Sequence, residues 1–297
     1  MISNRTKFHV SAPSARPVAL QTPPPTRLTG WAGIASLAAM ERAAADHAVF
    51  EFRRVSYQVA STQELLKDVS FTVPRGDTLV LLGRSGAGKT TALKLINRLY
   101  EPTGGQVLVD GRSTIDWDPI ELRRHIGYVI QETGLFPHYT VEENISLVPR
   151  LLEWDEGLIR PRVKELLAMV GLDAQKFSQR YPHELSGGQR QRVGVARALA
   201  ADPPILLMDE PFGALDPLTR GEVQQEFQEL EKRLRKTIVI VTHHVGEALV
   251  LGTRIALMDG GRLVGIYSPK EFLESREPGV AAYVAHLRMH EGFEEDE

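Results

Sequence analysis

The sequence predicts an α/β fold built around a parallel β-sheet. Three observations indicate this class. The apolar run Thr78–Leu82 leads through a glycine-rich loop into a helical segment, 90–99. Two further apolar runs, 205–208 and 237–242, each end in polar side chains, as buried parallel strands do where ligands bind. Residues 140–202 instead repeat apolar side chains with the helical period of about 3.6 residues.

The remaining elements are predicted from the same kinds of pattern. Apolar side chains alternate or cluster as in strands at 49–57, 69–73, 106–110 and 125–130. Pro74, Gly76 and Asp77 indicate a turn between the second strand and Thr78. A charged amphipathic helix is predicted at 219–236.

Composition excludes several classes of protein. The 297 residues are 42% hydrophobic and 25% charged, and the net charge is −3, so no strong positive field favours nucleic acid as a partner. Cysteine is absent, which excludes disulfides and cysteine-ligated zinc. No uncharged apolar run reaches the roughly 18 residues that span a bilayer. Work at a membrane would therefore require a partner.

Residues 1–47 differ from the rest of the chain. They are rich in Pro, Ser and Thr, and four basic residues precede Glu41, the first acidic one. This composition predicts a disordered N-terminal extension. No apolar segment follows the basic residues directly, so a secretory signal peptide is not expected.

The glycine-rich loop after Thr78–Leu82 matches the phosphate-binding pattern G-x-x-x-x-G-K-[ST] at every fixed position. This loop, called the P-loop below, consists of Gly83, Arg84, Ser85, Gly86, Ala87, Gly88, Lys89 and Thr90. The glycines allow backbone amides to face phosphates, and Lys89 brings a positive charge to the β and γ groups. Thr90 is predicted to ligate Mg²⁺ and Thr91 to touch phosphate. The loop predicts binding of a nucleoside triphosphate.

Two carboxylates follow the apolar run 205–208. Asp209 and Glu210 would reach the C-terminal edge of a parallel sheet, where ligands sit in such folds. Asp209 is predicted to support Mg²⁺, directly or through water. Glu210 is the predicted general base that orients and deprotonates the attacking water.

A second glycine-rich turn lies far downstream of the first. Ser186, Gly187, Gly188 and Gln189 precede or open a helix predicted at 189–200, whose N-terminal amides would attract an anion. The chain thus carries two helix N-termini that could bind phosphate, but only one loop with a lysine. The simplest use of the second end is to close over the nucleotide of another subunit.

Together these motifs resemble the ATP-binding subunits of ABC transporters, from about Val49 to Tyr267. The resemblance implies a P-loop NTPase (RecA-like) core with an N-terminal antiparallel β subdomain and an inserted α-helical subdomain at about 132–202. The whole ATPase domain would cover 48–267, followed by a short C-terminal helix and acidic tail at 268–297, without the tandem CBS domains of many osmoprotectant ATPases.

The resemblance also implies roles for residues that composition and spacing leave unassigned. Gln131 matches a glutamine that reaches Mg²⁺ and the attacking water. His243 matches a histidine that contacts the γ-phosphate. His244 stands where the family usually has an acidic residue, but strand register and the following Gly246, Glu247 and Ala248 favour His243 over His244. Tyr57 matches an aromatic that stacks on adenine, and Asp216 belongs to a loop along the dimer boundary.

Further segments are similar to the ATPases of importers for glycine betaine, choline, carnitine or proline betaine. They include Leu95–Leu99, Glu101–Gly105, Leu122–Gln131, Gly134–Ile145, Tyr181–Gln189 and Asp209–Pro217. Such a protein would use ATP and Mg²⁺, pair with a second ATPase subunit and act on transmembrane permease subunits. An extracytoplasmic substrate-binding protein would be an indirect partner. The expected location is the cytoplasmic face of the inner membrane, held there peripherally.

Other functions stay open at this point. The importer could carry another small solute. An ABC ATPase acting on DNA or ribosomes is the main alternative, but the chain has one ATPase unit and no heptad run between Lys89 and Leu185. An export ATPase and a non-catalytic nucleotide sensor are also considered. Intact Glu210 and His243 argue against the sensor.

Overall fold

A computed structural model describes residues 48–59, 63–131 and 134–291. The predicted disordered extension at 1–47 and the end of the acidic tail, 292–297, lie outside the described residues. The described residues form two β-sheets with helices packed around them.

The smaller sheet is antiparallel. It contains β1 (Ala48–Val59), β2 (Gln63–Pro74), β4 (Gly104–Val109) and β5 (Arg112–Ser113), in the order β2-β1-β4-β5. Strand β1 alternates apolar residues that face the core with exposed polar ones. Phe50 and Phe52 of β1 are fully or almost fully buried, and Phe52 stacks on Phe71 of β2 with ring centroids 4.4 Å apart.

The larger sheet has six strands in the order β10-β9-β3-β8-β7-β6. They are β3 (Thr78–Leu82), β6 (Ile126–Val129), β7 (Ile205–Asp209), β8 (Thr237–Thr242), β9 (Arg254–Asp259) and β10 (Arg262–Tyr267). All neighbours pair in parallel except β9 and β10. Every residue of β3, β7 and β8 is buried, which explains their continuous apolar sequences. This sheet confirms the predicted α/β class.

Helices connect and cover the strands. They are α1 (Lys89–Ile96), α2 (Pro119–Arg124), α3 (Val141–Leu151), α4 (Glu156–Met169), α5 (Ala174–Phe177), a 3₁₀ turn (Pro182–Glu184), α6 (Gly187–Ala198), α7 (Pro217–Leu234), α8 (Val245–Leu251), α9 (Pro269–Glu274) and α10 (Pro278–Glu291). Several begin at a residue whose side chain caps them. Thr140 and Glu143 form a reciprocal capping box at α3, and Asp216 caps α7 just before Pro217.

Two apolar cores lie on opposite faces of the larger sheet. Alternate residues of one strand belong to different cores: Leu79 and Leu81 of β3 pack with the smaller sheet and α1, whereas Val80 and Leu82 pack with α3 to α8. This division follows from the two-residue period of a strand. The P-loop and the two carboxylates therefore rest on a sheet that is held from both sides.

The structure differs from the sequence prediction in several elements. Strand β2 begins at Gln63 instead of residue 69, because backbone pairing with β1 extends it through residues 63–68, whose adjacent Leu65 and Leu66 break the alternating pattern of a strand. The helix predicted at 189–200 runs from Gly187 to Ala198, since Ser186 caps it two residues earlier. The antiparallel pair β9–β10 and the short helices α2 and α8 were not predicted. None of the described helices is long and apolar enough to cross a membrane.

Candidate functional site

The polar residues that follow β3, β7 and β8 lie at one edge of the larger sheet. These three strands are neighbours and run parallel, so their C-terminal ends meet at the same edge. The P-loop follows β3, Asp209 ends β7 with Glu210 after it, and His243 follows β8. This edge is the usual ligand-binding position in open parallel sheets.

The P-loop adopts backbone conformations that suit glycine. Gly86 and Gly88 have φ of 80° and 94°, in the left-handed region, and Gly88 immediately precedes α1. A Cβ on Gly83 would lie 2.3 Å from the backbone oxygen of Met258, so the close approach of β9 also requires glycine there. The loop conformation is thus set by backbone packing as well as by its motif.

Lys89 is folded into this loop. Its Nζ donates to the carbonyl oxygens of Gly83 at 2.8 Å and Arg84 at 2.9 Å, and the residue is 4% exposed. Burial lowers the pKa of Lys89, while the nearby carboxylates of Glu210 and Asp209 act in the opposite direction. The lysine is therefore held inside the loop where phosphate oxygens would approach.

Thr90 and Asp209 are in direct contact. The Thr90 hydroxyl Oγ1 donates to Asp209 Oδ1 at 2.9 Å. Burial raises the pKa of Asp209, and the hydrogen bond from Thr90 partly offsets this by favouring the ionised carboxylate. Hydroxyl and carboxylate oxygens are the donors that Mg²⁺ prefers. Among the described residues, no group of three or more His, Cys, Asp or Glu is placed to hold a metal ion.

Glu210 turns its carboxylate toward two other predicted site residues. Its Oε1 lies 3.3 Å from His243 Nδ1, and its Oε2 lies 3.5 Å from Gln131 Nε2. The backbone of Glu210 has φ of 44°, which is unusual for a residue with a side chain, and its N–H donates to the carbonyl of Val241 at 3.0 Å. The side chain of Glu210 is 22% exposed, so water can reach it.

The two adjacent histidines have different surroundings. His243 faces Glu210 and its side chain is 46% exposed, whereas His244 is the N-cap residue of α8 and its Nε2 lies 3.3 Å from Arg220 Nη1. Their rings contact each other, with centroids 4.1 Å apart. Burial lowers the pKa of His244, and the neighbouring His243 and Arg220 lower it further. The geometry thus places His243, and not His244, against the predicted base.

The second glycine-rich turn forms a tight helix start. Ser186 Oγ accepts from Gln189 N at 3.3 Å, and Gln189 Oε1 accepts from Ser186 N at 3.0 Å, a reciprocal capping box. A Cβ on Gly188 would lie 2.9 Å from the side chain of Thr219, so glycine there allows the start of α7 to approach, whereas a Cβ on Gly187 would make an ordinary contact of 3.4 Å with Leu215. No residue of 186–189 lines the described pocket around Ser85 and Glu210.

Tyr57 and Asp216 are the remaining predicted site residues. The ring of Tyr57 stacks on Tyr100, with centroids 5.0 Å apart and planes 8° apart, so one face of it is already covered. Asp216 is exposed, and its Oδ1 accepts from Thr219 N at 3.1 Å. Hydrogen bonding from the side chain of Thr219, and then from its backbone, lowers the pKa of Asp216. Their predicted roles toward adenine and a second subunit remain predictions.

The structure adds residues that sequence motifs did not reveal. An open pocket of about 1030 Å³ joins Ser85, Glu210 and His243 to Arg220 of α7 and Tyr283 of α10. Burial raises the pKa of Tyr283, and Arg84 of the P-loop acts against this through charge and hydrogen bonding. No sequence signal distinguished Arg220 from the other charged residues of α7. No sequence signal pointed to Tyr283.

Fold and site define the chain as a P-loop NTPase with the parts of an ATP-binding cassette: a lysine-bearing phosphate loop, a buried strand that ends in Asp-Glu, and a separately capped Ser-Gly-Gly turn. The chain matches the ABC transporter family over residues 66–213. It belongs to that family.

Two curated relatives and one solved structure illustrate the similarity. The osmoprotectant import ATP-binding protein OsmV of Salmonella typhimurium is 56% identical over 206 residues, which cover 69% of this chain and 54% of that protein. The glycine betaine uptake system ATP-binding protein YehX of Escherichia coli is 48% identical over 225 residues, 76% of this chain and 72% of the other. The dimeric post-hydrolysis structure of the ATP-binding cassette MJ0796 with ADP and phosphate has a TM-score of 0.65 and 35% identity, and covers 74% of this chain and 98% of that one.

The match is partial in length. The chain spans little more than half of the OsmV protein. What the whole relatives transport or assemble with is therefore a matter for proposal.

Proposed function

We propose that this chain is the ATP-hydrolysing subunit of an ABC importer for quaternary amines such as glycine betaine, choline or carnitine. The observation that carries the ATPase part is the meeting of Glu210, His243 and the P-loop at one sheet edge. Glu210 Oε1 lies 3.3 Å from His243 Nδ1, and both line the same pocket as Ser85. A base, a polar partner and a phosphate loop are the parts that ATP hydrolysis needs.

Each residue of this edge has a distinct task in the proposed reaction. The P-loop amides and Lys89 hold the β- and γ-phosphates and stabilise their charge. Glu210 accepts the proton of the attacking water, and its partial exposure lets that water reach it. His243 holds the γ-phosphate in line with the water, and Gln131 helps to orient the same water. Tyr57 stacks on adenine with the ring face that Tyr100 leaves open.

The residues Thr90 and Asp209 fit Mg²⁺. Their oxygens lie 2.9 Å apart beside the P-loop, and Gln131 can add an amide oxygen. When bound, Mg²⁺ neutralises phosphate charge and favours loss of the γ-phosphate. The protein's own part is to hold Thr90 and Asp209 together through their hydrogen bond, so that both oxygens are in place before nucleotide arrives.

A second copy of the chain would complete the site. The capped turn Ser186–Gln189 does not line the pocket of its own chain among the described residues, yet its amides form a helix N-terminus suited to an anion. In a twofold pair this turn would face the γ-phosphate bound to the partner's P-loop, with the loop of Asp216 along the boundary. The solved MJ0796 cassette is itself described as a dimer.

Permease subunits are proposed as the membrane partners. We infer that closing of the dimer moves the segment after Gln131 and so acts on a permease at the cytoplasmic face of the membrane. An extracytoplasmic substrate-binding protein would deliver the solute to that permease. The solute class is inferred from two relatives, whose names specify osmoprotectant import and glycine betaine uptake.

Uptake of labelled glycine betaine, choline and carnitine in the native host tests this proposal. We expect Lys89→Ala to abolish uptake of at least one of them, because the phosphate charge loses its buried counter-charge. Lys164→Ala, on the exposed side of α4, is the matched control and should leave uptake unchanged.

The two halves of the proposal give separate results. Unchanged uptake of all three solutes, together with active ATP hydrolysis by the purified chain, would contradict the quaternary-amine assignment and favour an importer for another small solute. Absence of hydrolysis by the chain with its copurified permease would contradict the ATPase assignment itself.

A further inference from the structure

A buried polar network lies directly behind the Glu210–His243 pair. Its centre is Glu247 of α8, which is only 4% exposed. Glu247 Oε2 accepts from the Thr242 hydroxyl at 2.5 Å, and Oε1 accepts from Gln224 Nε2 at 3.0 Å. The same Thr242 hydroxyl oxygen accepts from His244 N at 3.1 Å. The end of β8, the start of α8 and the middle of α7 are thus tied together.

Arg220 of α7 extends this network to a third segment. One terminal nitrogen, Nη2, donates to the carbonyl oxygen of Leu215 at 3.1 Å, and the other, Nη1, lies 3.3 Å from His244 Nε2. Its Nε lies 4.0 Å from Glu247 Oε1. One planar guanidinium therefore contacts the loop at 214–216, the residue next to His243, and α8.

The contact between Arg220 and His244 has only one chemical form. A guanidinium has donors and no acceptor, so Nε2 of His244 must accept and cannot carry a proton. Burial, followed by the charges of His243 and Arg220, lowers the pKa of His244, while Glu210 acts in the opposite direction. A neutral His244 is thus held in place by Arg220, and its ring contacts that of His243 with centroids 4.1 Å apart.

We propose that Arg220 is a positioning residue that couples the loop at 214–216 to His243, with neutral His244 as the link between them. The inference rests on the proposed ATP hydrolysis, in which this loop meets a second subunit. A shift of Leu215 on dimer closure would displace the guanidinium and, through it, the two imidazole rings that contact each other. His243 would then take its orientation toward phosphate from the state of the dimer boundary.

An unpartnered donor in this network supports movement of this kind. Nε of Arg220 is buried and makes no hydrogen bond in the described structure. A buried donor without a partner is costly, and an approach by about 1 Å would bring it within hydrogen-bonding distance of Glu247 Oε1. The guanidinium therefore has a second position available, toward α8.

Steady-state hydrolysis by a set of variants tests the coupling. Arg220→Met removes the guanidinium, and His244→Phe keeps a stacking ring but removes the acceptor. We expect each to lower kcat by about 10-fold or more with KM for ATP within about 3-fold, because the fault lies in orientation and not in nucleotide binding. The double variant should be no slower than the worse single one, because both changes break the same link.

Two further variants separate positioning from stability. His244→Gln retains a side-chain acceptor and should keep kcat within about 3-fold of the original chain. Arg233→Met, at an exposed position nearer the end of α7, is the control and should change neither kcat nor the melting temperature. Effects that multiply in the double variant, or full activity of His244→Phe, would overturn the proposal.

Imidazole NMR gives a readout that does not depend on hydrolysis. The ring signals of His243 should shift in Arg220→Met and His244→Phe, and stay in place in Arg233→Met. Unchanged His243 signals in the first two variants would overturn the coupling even if hydrolysis is normal. A chain whose His243 signals respond as expected but which does not hydrolyse ATP would contradict the proposed function and leave the coupling supported.

Discussion

Glu210 Oε1 lies 3.3 Å from His243 Nδ1, although the two residues follow different strands and are 33 positions apart in the sequence. Strands β7 and β8 are parallel neighbours in which Asp209 pairs with Val241, so the residues that follow these strands emerge side by side. Glu210 reaches His243 by adopting φ of 44°. Such a conformation costs on the order of 1–3 kcal/mol, and its presence at a predicted catalytic residue is typical of a functional site.

Glu210→Gln is the most direct test of the proposed base. Glutamine has nearly the same shape and can still contact His243, but it cannot accept a proton from water. We expect kcat to fall by about 10²–10⁴-fold, the range for loss of general base catalysis, while ATP affinity changes little. Steady-state hydrolysis and calorimetric ATP binding measure the two effects.

The matched control for this substitution is Glu226→Gln on the exposed side of α7, where the carboxylate contacts Arg192 and does not line the pocket. It should leave kcat unchanged. Hydrolysis at the normal rate by Glu210→Gln would remove Glu210 from the role of base. A large loss of ATP affinity instead of kcat would assign it to binding.

Much of the candidate site, including the separate Ser186 turn, was accessible from sequence because its parts are local. The P-loop, Asp209-Glu210 and the Ser186 turn are contiguous segments whose conformations depend on glycines, caps and buried strands close by. The buried neighbours of His244 were not accessible in this way. Arg220 and Glu247 meet through the packing of α7 on α8, and that packing depends on apolar contacts distributed over both helices.

The pairing of strands limited the prediction in the same way. Residues 63–67 of β2 do not alternate polar and apolar side chains, because Leu65 and Leu66 are adjacent, and they become a strand because β1 supplies hydrogen-bonding partners for their backbone. Strand β9 was missed although β3 pairs with it in parallel, because a short apolar run does not by itself distinguish a strand from a helix.

Thr90→Val tests the proposed Mg²⁺ ligands. Valine keeps the branched shape but removes the hydroxyl that donates to Asp209 at 2.9 Å. We expect the Mg²⁺ concentration for half-maximal hydrolysis to rise by about 10-fold, since loss of an inner or supporting ligand typically weakens metal binding by that order. Titration of hydrolysis with Mg²⁺ at fixed ATP measures it.

Thr72→Val, at an exposed position of β2, controls for the exchange of threonine for valine itself. Its Mg²⁺ dependence should match that of the original chain. An equal Mg²⁺ requirement in Thr90→Val would show that the hydroxyl does not contribute to the metal site.

Substitution by alanine at two glycines should change the free energy of unfolding in opposite directions. A Cβ on Gly127 of β6 would lie 2.4 Å from the backbone oxygen of Ala198, which cannot move without shifting the end of α6. Gly127→Ala should therefore lower the free energy of unfolding by about 1–3 kcal/mol, as overpacking does. Gly221 of α7 has open space around its Cα, and alanine there should raise it by about 0.4–1 kcal/mol.

Chemical denaturation of both glycine variants measures these changes. The same sign for both substitutions would contradict the packing described between β6 and α6. ATP hydrolysis by Gly221→Ala should remain normal, which separates the stability effect from the site.

The pH dependence of stability should report on His244. Its pKa in the folded chain is lowered from 6.5, mainly by burial and then by His243 and Arg220. Above pH 6.5 the residue is neutral in both the folded and unfolded chains, so its favourable contribution to folding is fully present there. As the pH falls through 6.5 toward the lower folded value, the unfolded chain binds a proton that the folded chain does not, and the free energy of unfolding decreases.

His244→Gln removes this titration while keeping an acceptor for Arg220. We expect the free energy of unfolding of the variant to fall less steeply than that of the original chain as the pH is lowered from about 8 to about 5. Urea denaturation of both chains across that range measures the difference, and the value at the alkaline end serves as the reference because His244 is neutral there. Parallel pH profiles would mean that His244 titrates alike in the folded and unfolded chains, and a steeper fall in the variant would mean that the folded chain favours the charged imidazole.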